Sequence, residues 1–136
     1  MDKIVVWYLR MSVIYFVAGA ALGMGMFIWP EESGIYKDIH VHFNLLGFMT
    51  MMIYGVGYHI LPKFSGVHIY SPKIMNVQFW LSNAGLIGMA TTWPMTIVGY
   101  AAGIAGPMLM LSAALSLIAV ILFAFNILKT IKPVQM

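Results

Sequence analysis

The sequence of 136 residues contains no cysteine, which excludes disulfides, thiolate-held iron–sulfur clusters and cysteine nucleophiles. Charge is scarce as well, because Asp, Glu, Lys and Arg together make up only 8% of the chain, whereas a soluble domain carries about a quarter. Hydrophobic residues account for 62%. The composition therefore predicts a chain that lies in a lipid bilayer.

Four apolar stretches are long enough to cross a membrane, since a helical span takes about 20 residues. They cover roughly residues 4–29, 41–62, 74–93 and 107–128. The first is longer than the core of a cleavable signal peptide and lacks a small-residue cleavage site, so it is expected to be a retained span. The sequence predicts an all-α integral membrane four-helix bundle, with residues 1–136 forming one domain.

The orientation of the bundle follows from its basic residues. If the four spans alternate in direction, six of the basic residues fall on one side of the membrane: Lys3, Arg10, Lys63, Lys73, Lys129 and Lys132. Lys37 falls on the other side, in a loop with Glu31, Glu32 and Asp38. The positive-inside rule then predicts that both termini are cytoplasmic. The scattered lysines form no clustered basic face, so a nucleic-acid partner is not expected.

Two segments have the small-xxx-small spacing that lets helix backbones approach closely in lipid. They are "GAALG", from Gly19 to Gly23, and "GYAAG", from Gly99 to Gly103. Packing within the chain is the favoured interpretation, and a subunit interface is the alternative. The thirteen methionines are interpreted as soft packing residues, because they lack the tight clustering of a thioether copper site.

The second stretch, "HVHFNLLGFMTMMIYGVGYHILP", carries two histidines at its head, His40 and His42. At 100° per residue they point about 200° apart, so they cannot hold one metal from the same face. An imidazole entering hydrocarbon needs a hydrogen bond, a metal or a water-filled cavity. From the residues alone, two alternatives stay open: ligation of a metal or haem, or capping and hydration of the helix start. Asn44, two residues farther along the helix than His42, could orient a ligand by hydrogen bonding.

The other two histidines are expected to play no part in such a site. His59 lies 17 residues beyond His42, roughly 25 Å along the helix axis at 1.5 Å per residue. It therefore belongs to the opposite membrane surface. His59 and His68 are predicted to be interfacial histidines or lipid-headgroup contacts.

This stretch resembles the tenth transmembrane helix of subunit I of the haem-copper oxidase superfamily, most closely the C-type cytochrome oxidases and the bacterial nitric-oxide reductases. The shared features are His40, His42, Leu46, Gly47, Phe48, Tyr58 and Pro62. The resemblance implies that His40 binds an active-site haem and His42 a low-spin haem, with haem b as the cofactor. It also implies the plasma (inner) membrane of a prokaryote, with a respiratory-chain redox partner.

The sequence departs from that family in its number of helices and ligands. The family subunit has twelve helices, and it takes the second low-spin haem ligand and three copper-binding histidines from helices other than the tenth. Its helices form three arcs of four, so three copies of this chain would resemble one subunit. A homo-oligomer, with a trimer favoured, would let His42 of one copy face His40 of the next. Alternatively, Met24 or Met26 supplies a sixth ligand within a monomer.

Three functions follow as hypotheses. The first is a haem-binding membrane cytochrome in electron transfer or in binding of a diatomic gas, O2 or NO. The second is a cofactor-free structural or assembly subunit of a respiratory membrane complex, and the third is a membrane protein that handles metal or haem. Enzymatic turnover is left undecided, because one chain has no complete haem-copper site. Copper held by three copies of His40 is a less favoured alternative, since three imidazoles and an open position suit that metal.

Overall fold

A computed structural model describes residues 1–131, and the described part is helical with no strand. Lys132, one of the six basic residues counted for orientation, lies outside it. The elements follow in chain order as α1 (Lys3–Ile28), a short 3-10 turn (Pro30–Glu32), α2 (Ser33–His42), a π-helical segment (Phe43–Thr50), α3 (Met51–Phe64), α4 (Pro72–Ile97) and α5 (Ala102–Thr130). The turn, α2, the π-helical segment and α3 form one continuous helix, here the second span. This confirms the all-α membrane bundle of four helices.

The helices extend beyond the apolar stretches that predict them. The second span begins at Pro30, eleven residues before the start expected at residue 41. The reason is that hydropathy marks the part of a helix inside hydrocarbon, whereas backbone hydrogen bonding continues into the interface. The turn between α4 and α5 is correspondingly short, and it uses left-handed backbone at Gly99 (φ 70°) and Ala101 (φ 51°).

Three helices of the described part are long and apolar enough to cross a membrane: Lys3–Ile28, Pro30–Phe64 and Gly103–Thr130. The remaining long helix, α4, is more polar. Its buried polar side chains are Gln78, Ser82, Asn83 and Thr92. Two of them, Gln78 and Asn83, accept hydrogen bonds from other helices, a role that polar side chains commonly have inside membrane bundles.

Glycines set the packing of two helical hairpins. In the first, α1 packs on the second span, where a Cβ on Gly47 would lie 2.5 Å from Tyr15 Cβ. In the second, α4 packs on α5, where a Cβ on Gly85 would lie 2.8 Å from the Ser112 carbonyl oxygen and 2.9 Å from the Ser116 nitrogen. A side chain at either glycine would force the helices apart, so each hairpin depends on a missing Cβ.

Tyrosines then join the two hairpins. Three hydroxyls of the first hairpin donate to acceptors on α4: Tyr8 to the Met75 carbonyl oxygen at 2.9 Å, Tyr15 to Asn83 Oδ1 at 2.7 Å, and Tyr58 to Gln78 Oε1. Hydrogen bonds between membrane helices contribute about 0.6 to 2 kcal/mol each. These bonds fix the position of α4 beside the helix that carries the histidines.

Candidate functional site: a histidine pair at one end of the bundle

His40 and His42 occupy the last turn of α2, immediately before the π-helical segment. The His40 imidazole lies over α1, where a Cβ on Gly23 would be 2.9 Å from His40 Cε1. The His42 ring packs instead on Trp93 of α4, with ring centroids 4.7 Å apart. The two imidazoles therefore leave their helix in different directions and contact different neighbours.

Each imidazole is held by a backbone carbonyl through Nδ1. His40 Nδ1 is 2.7 Å from the Gly19 oxygen, and His42 Nδ1 is 2.8 Å from the Asp38 oxygen. Because a carbonyl oxygen only accepts, Nδ1 must donate and carries the proton of the neutral ring. Within residues 1–131, neither Nε2 atom has a hydrogen-bond partner. This is the tautomer in which Nε2 offers a lone pair to a metal.

Asn44 lies in the same seam between α1 and the second span. Its Nδ2 donates to the His40 carbonyl oxygen at 2.8 Å, and a Cβ on Gly19 would be 2.8 Å from that same nitrogen. The structure therefore brings Asn44 to the His40 side of the helix. There it holds the backbone that carries the imidazole.

The "GAALG" segment builds this seam. Gly19 and Gly23 are the positions where α1 meets Asn44 and His40, so the motif packs within the chain, as favoured from the sequence. It is therefore not free for a subunit interface, which corrects that alternative. In "GYAAG", Gly99 lies in the turn before α5, and a Cβ on Gly99 or Gly103 would meet nothing within 4 Å, so the packing within the chain favoured for this motif is wrong.

An apolar groove of about 490 Å³ lies beside this part of α2, and neither histidine is among the residues that line it. Its walls come from α1, α2, the π-helical segment and α4, and are formed by Ala18, Ala21, Leu22, Gly25, Trp29, Tyr36, Ile39, Phe43 and Ala90. At 100° per residue, Ile39 and Tyr36 fall on the arc of α2 between the directions of the two histidines. Small residues leave the space, and the apolar lining suits a hydrophobic ligand.

The remaining histidines stay away from the pair. His59 Nε2 is 3.0 Å from Lys63 Nζ on α3, and His68 lies in the loop between α3 and α4. Among the described residues, no three His, Cys, Asp or Glu side chains come together to hold a metal ion. Within one chain, the pair therefore offers two separate single ligands.

Reasoning from sequence missed three features of this site. The Gly19 carbonyl, the Trp93 ring and the π-helical segment all contribute to it. The glycine spacing of "GAALG" was the available signal for the contribution of the Gly19 carbonyl. Nothing local to Trp93 points to His42, because the contact joins different spans.

The fold and the histidine pair define a helical membrane protein with two half-buried imidazoles at one end. The sequence model described as "Cytochrome C and Quinol oxidase polypeptide I" matches residues 38–106, just over half of the chain. The chain belongs to this family of haem-copper oxidase subunits I. The match begins in the second half of α2, runs through the π-helical segment, α3 and α4, and ends near the start of α5, so it contains both histidines.

A curated relative agrees with this assignment. It is the "Cbb3-type cytochrome c oxidase subunit CcoN1" of Stutzerimonas stutzeri, 36% identical over 56 residues. The aligned part is 40% of this chain but 12% of the relative. The chain thus corresponds to a small part of that subunit, and it shares the family without spanning the subunit's length.

Proposed function

We propose that this chain is a haem-binding membrane cytochrome, with His40 and His42 as axial ligands of haem b. One observation carries the proposal: both Nδ1 atoms are bonded to backbone carbonyls, which leaves both Nε2 atoms as lone-pair donors. Membership of the family supports haem as the cofactor. The donor set fits it, since imidazole nitrogen is a common axial ligand of haem iron.

The chain's own residues would hold and orient the cofactor. The Gly19 and Asp38 carbonyls fix the two rings, and Asn44 fixes the backbone at His40. The apolar groove beside the pair would exclude water from the porphyrin. A bound haem would supply one-electron transfer or the binding of O2 or NO. Ligation by two histidines favours electron transfer, and this is the proposed role, with a respiratory-chain protein as the redox partner.

A homo-oligomer completes the proposal. The imidazoles contact α1 and α4 respectively, so neither can be the second ligand to the other's haem. A second copy can supply it, and a trimer is favoured because it would place twelve helices around a threefold axis, as in the whole subunit. The proposed location is the plasma membrane of a prokaryote, with both termini cytoplasmic.

A second candidate is a cofactor-free structural or assembly subunit of a respiratory membrane complex. It is favoured by the packing of the His42 ring on Trp93, which gives that imidazole a structural contact.

The visible spectrum of the detergent-solubilised protein, purified from cells that make haem, tests the two candidates. The proposal expects a sharp Soret band, with α and β bands after reduction. A colourless protein with intact helical circular dichroism would contradict it and favour the structural subunit.

A further inference from the structure

A second cleft opens between α1 and α4, at the end of the bundle away from the histidines. Its volume is about 470 Å³, and Trp7 and Met11 of α1 face Trp80 and Ile87 of α4 across it. Both tryptophans are partly open to the surroundings, with Trp7 46% and Trp80 69% exposed. The cleft therefore opens sideways, toward lipid.

The interior of this cleft is suited to hydrocarbon. Two asparagines line it, but their amide nitrogens are engaged within α4: Asn76 Nδ2 donates to the Pro72 oxygen at 2.9 Å and Asn83 Nδ2 to the Phe79 oxygen at 2.8 Å. Asn83 Oδ1 is also engaged, because it accepts from Tyr15. The remaining wall is aliphatic and aromatic. An acyl chain can pack against this aliphatic and aromatic part of the wall.

The mouth of the cleft is basic. At 100° per residue, Lys3 lies about 40° from Trp7 around α1 and Lys73 about 20° from Trp80 around α4, so each lysine lies at the tryptophan edge of the cleft, nearer the helix start. The Arg10 guanidinium carbon lies 5.4 Å from the centre of the Trp7 ring. Helical side chains tilt toward the N-terminus, which directs all three cations toward the membrane surface.

The backbone adds positive charge at the same place, and one acid opposes it. α1 and α4 run in the same direction and both begin at this end, with Asp2 and Ser71 as their N-caps. Helix N-termini carry partial positive charge. The Asp2 carboxylate accepts from the Ile4 nitrogen at 3.3 Å, so it is partly engaged by α1 itself.

We propose that this cleft binds an anionic phospholipid, with one acyl chain between Trp7 and Trp80 and the phosphate headgroup at Lys3 and Lys73. Basic pockets between membrane helices recognise such headgroups. Charge complementarity at the mouth selects the anionic class, and the apolar interior selects a lipid over a free phosphate. This site is separate from the histidine pair and does not depend on haem.

The two tryptophans report directly on occupancy. The chain is reconstituted in vesicles of phosphatidylcholine that contain brominated phosphatidylglycerol or, at the same mole fraction, brominated phosphatidylcholine. Trp29→Phe and Trp93→Phe remove the fluorescence of the other end. Quenching at least twice as strong by the brominated phosphatidylglycerol is expected.

Matched charge variants separate the cleft from the membrane surface in general. Lys3→Gln with Lys73→Gln should bring the quenching by the two brominated lipids to equality. Lys63→Gln with Lys129→Gln removes two cations at the same end of the bundle, on α3 and α5, and should preserve the preference.

Three results would overturn the proposal. Equal quenching by the two lipids in the parent protein would show that the cleft does not select charge. If both variant pairs lost the preference for brominated phosphatidylglycerol equally, the preference would come from general surface charge and not from the cleft. Weak quenching by either lipid, together with a crosslink between Trp80→Cys chains, would show that a second copy fills the cleft.

Discussion

Buried polar side chains differ in whether the bundle gives them a partner. Asn83 Oδ1 accepts from the Tyr15 hydroxyl at 2.7 Å, whereas Ser82 Oγ is buried without a partner among the described residues. The adjacent positions on α4 therefore form a matched pair. Removing a partnered group leaves its neighbour unsatisfied, and removing an unpartnered one does not.

Asn83→Leu is expected to lower the free energy of unfolding by about 1 to 3 kcal/mol, because it strands the Tyr15 hydroxyl. Ser82→Ala should stay within about 0.5 kcal/mol of the parent protein. Unfolding by sodium dodecyl sulfate, followed by circular dichroism, measures both. Equal destabilisation by the two substitutions would show that the hydrogen bond does not stabilise the bundle.

The position of the His40 imidazole depends on Gly23. A Cβ at Gly23 would lie 2.9 Å from His40 Cε1 and 3.2 Å from Nδ1. Gly23→Val is therefore expected to displace the imidazole and reduce the haem bound per chain by at least half, measured by pyridine haemochrome. Gly103→Val is the control, because a Cβ there meets nothing within 4 Å. Unchanged haem content in Gly23→Val would show that haem binding does not depend on this position of the His40 imidazole.

Predictions for single residues succeeded where they relied on helix periodicity. The spacing of His40 and His42 correctly predicted that the two imidazoles point in different directions, because the rotation of 100° per residue holds within a single turn. The carbonyl that holds His40 could not be predicted. It belongs to Gly19 of α1, and its position depends on how closely two separate helices pack.

At the scale of elements, the second span differs most from a uniform helix. Its π-helical segment, Phe43–Thr50, follows directly after His42. Such segments are rare and occur frequently at functional sites. The apolar sequence "FNLLGFMT" is compatible with an ordinary α-helix, so the sequence could not predict it. The close approach of Tyr15 to Gly47 lies within this segment, and it arises from tertiary packing.

The orientation of the second span is open to a direct measurement, because the chain has no native cysteine. Ser33 begins α2, and Ser65 follows α3 at the other end of the same span. In intact cells, Ser33→Cys is expected to react with a membrane-impermeant maleimide. Ser65→Cys should react only after the membrane is broken. The reverse pattern would place both termini outside.

At the scale of the whole molecule, the chain exposes much of its apolar surface. On α5, Met110 is 76% and Leu128 74% exposed, so this helix faces lipid or another copy. The number of helices and the family were predictable, since hydropathy and the His-x-His helix carry them. The division into two hairpins was not predictable. It depends on the close contact of Gly85 with Ser112 and Ser116, and none of the sequence motifs includes these residues.

The shared-ligand proposal predicts a haem-loaded trimer in native mass spectrometry of the detergent-solubilised protein. The physical reason is that His40 and His42 contact different helices, so each haem needs a histidine from a second chain. A haem-loaded dimer would retain shared ligation and remove the threefold arrangement. A haem-loaded monomer would contradict both, and would direct attention to Met24 or Met26 as the second ligand.

The most direct test of haem ligation is the haem content of His42→Ala compared with that of His59→Ala. The two histidines lie on one continuous helix, but His59 is 3.0 Å from Lys63 at the opposite end. Haem ligation at the pair predicts that His42→Ala loses most of its haem and its Soret band, while His59→Ala keeps a spectrum close to that of the parent protein. Loss of haem from His59→Ala with retention in His42→Ala would contradict it.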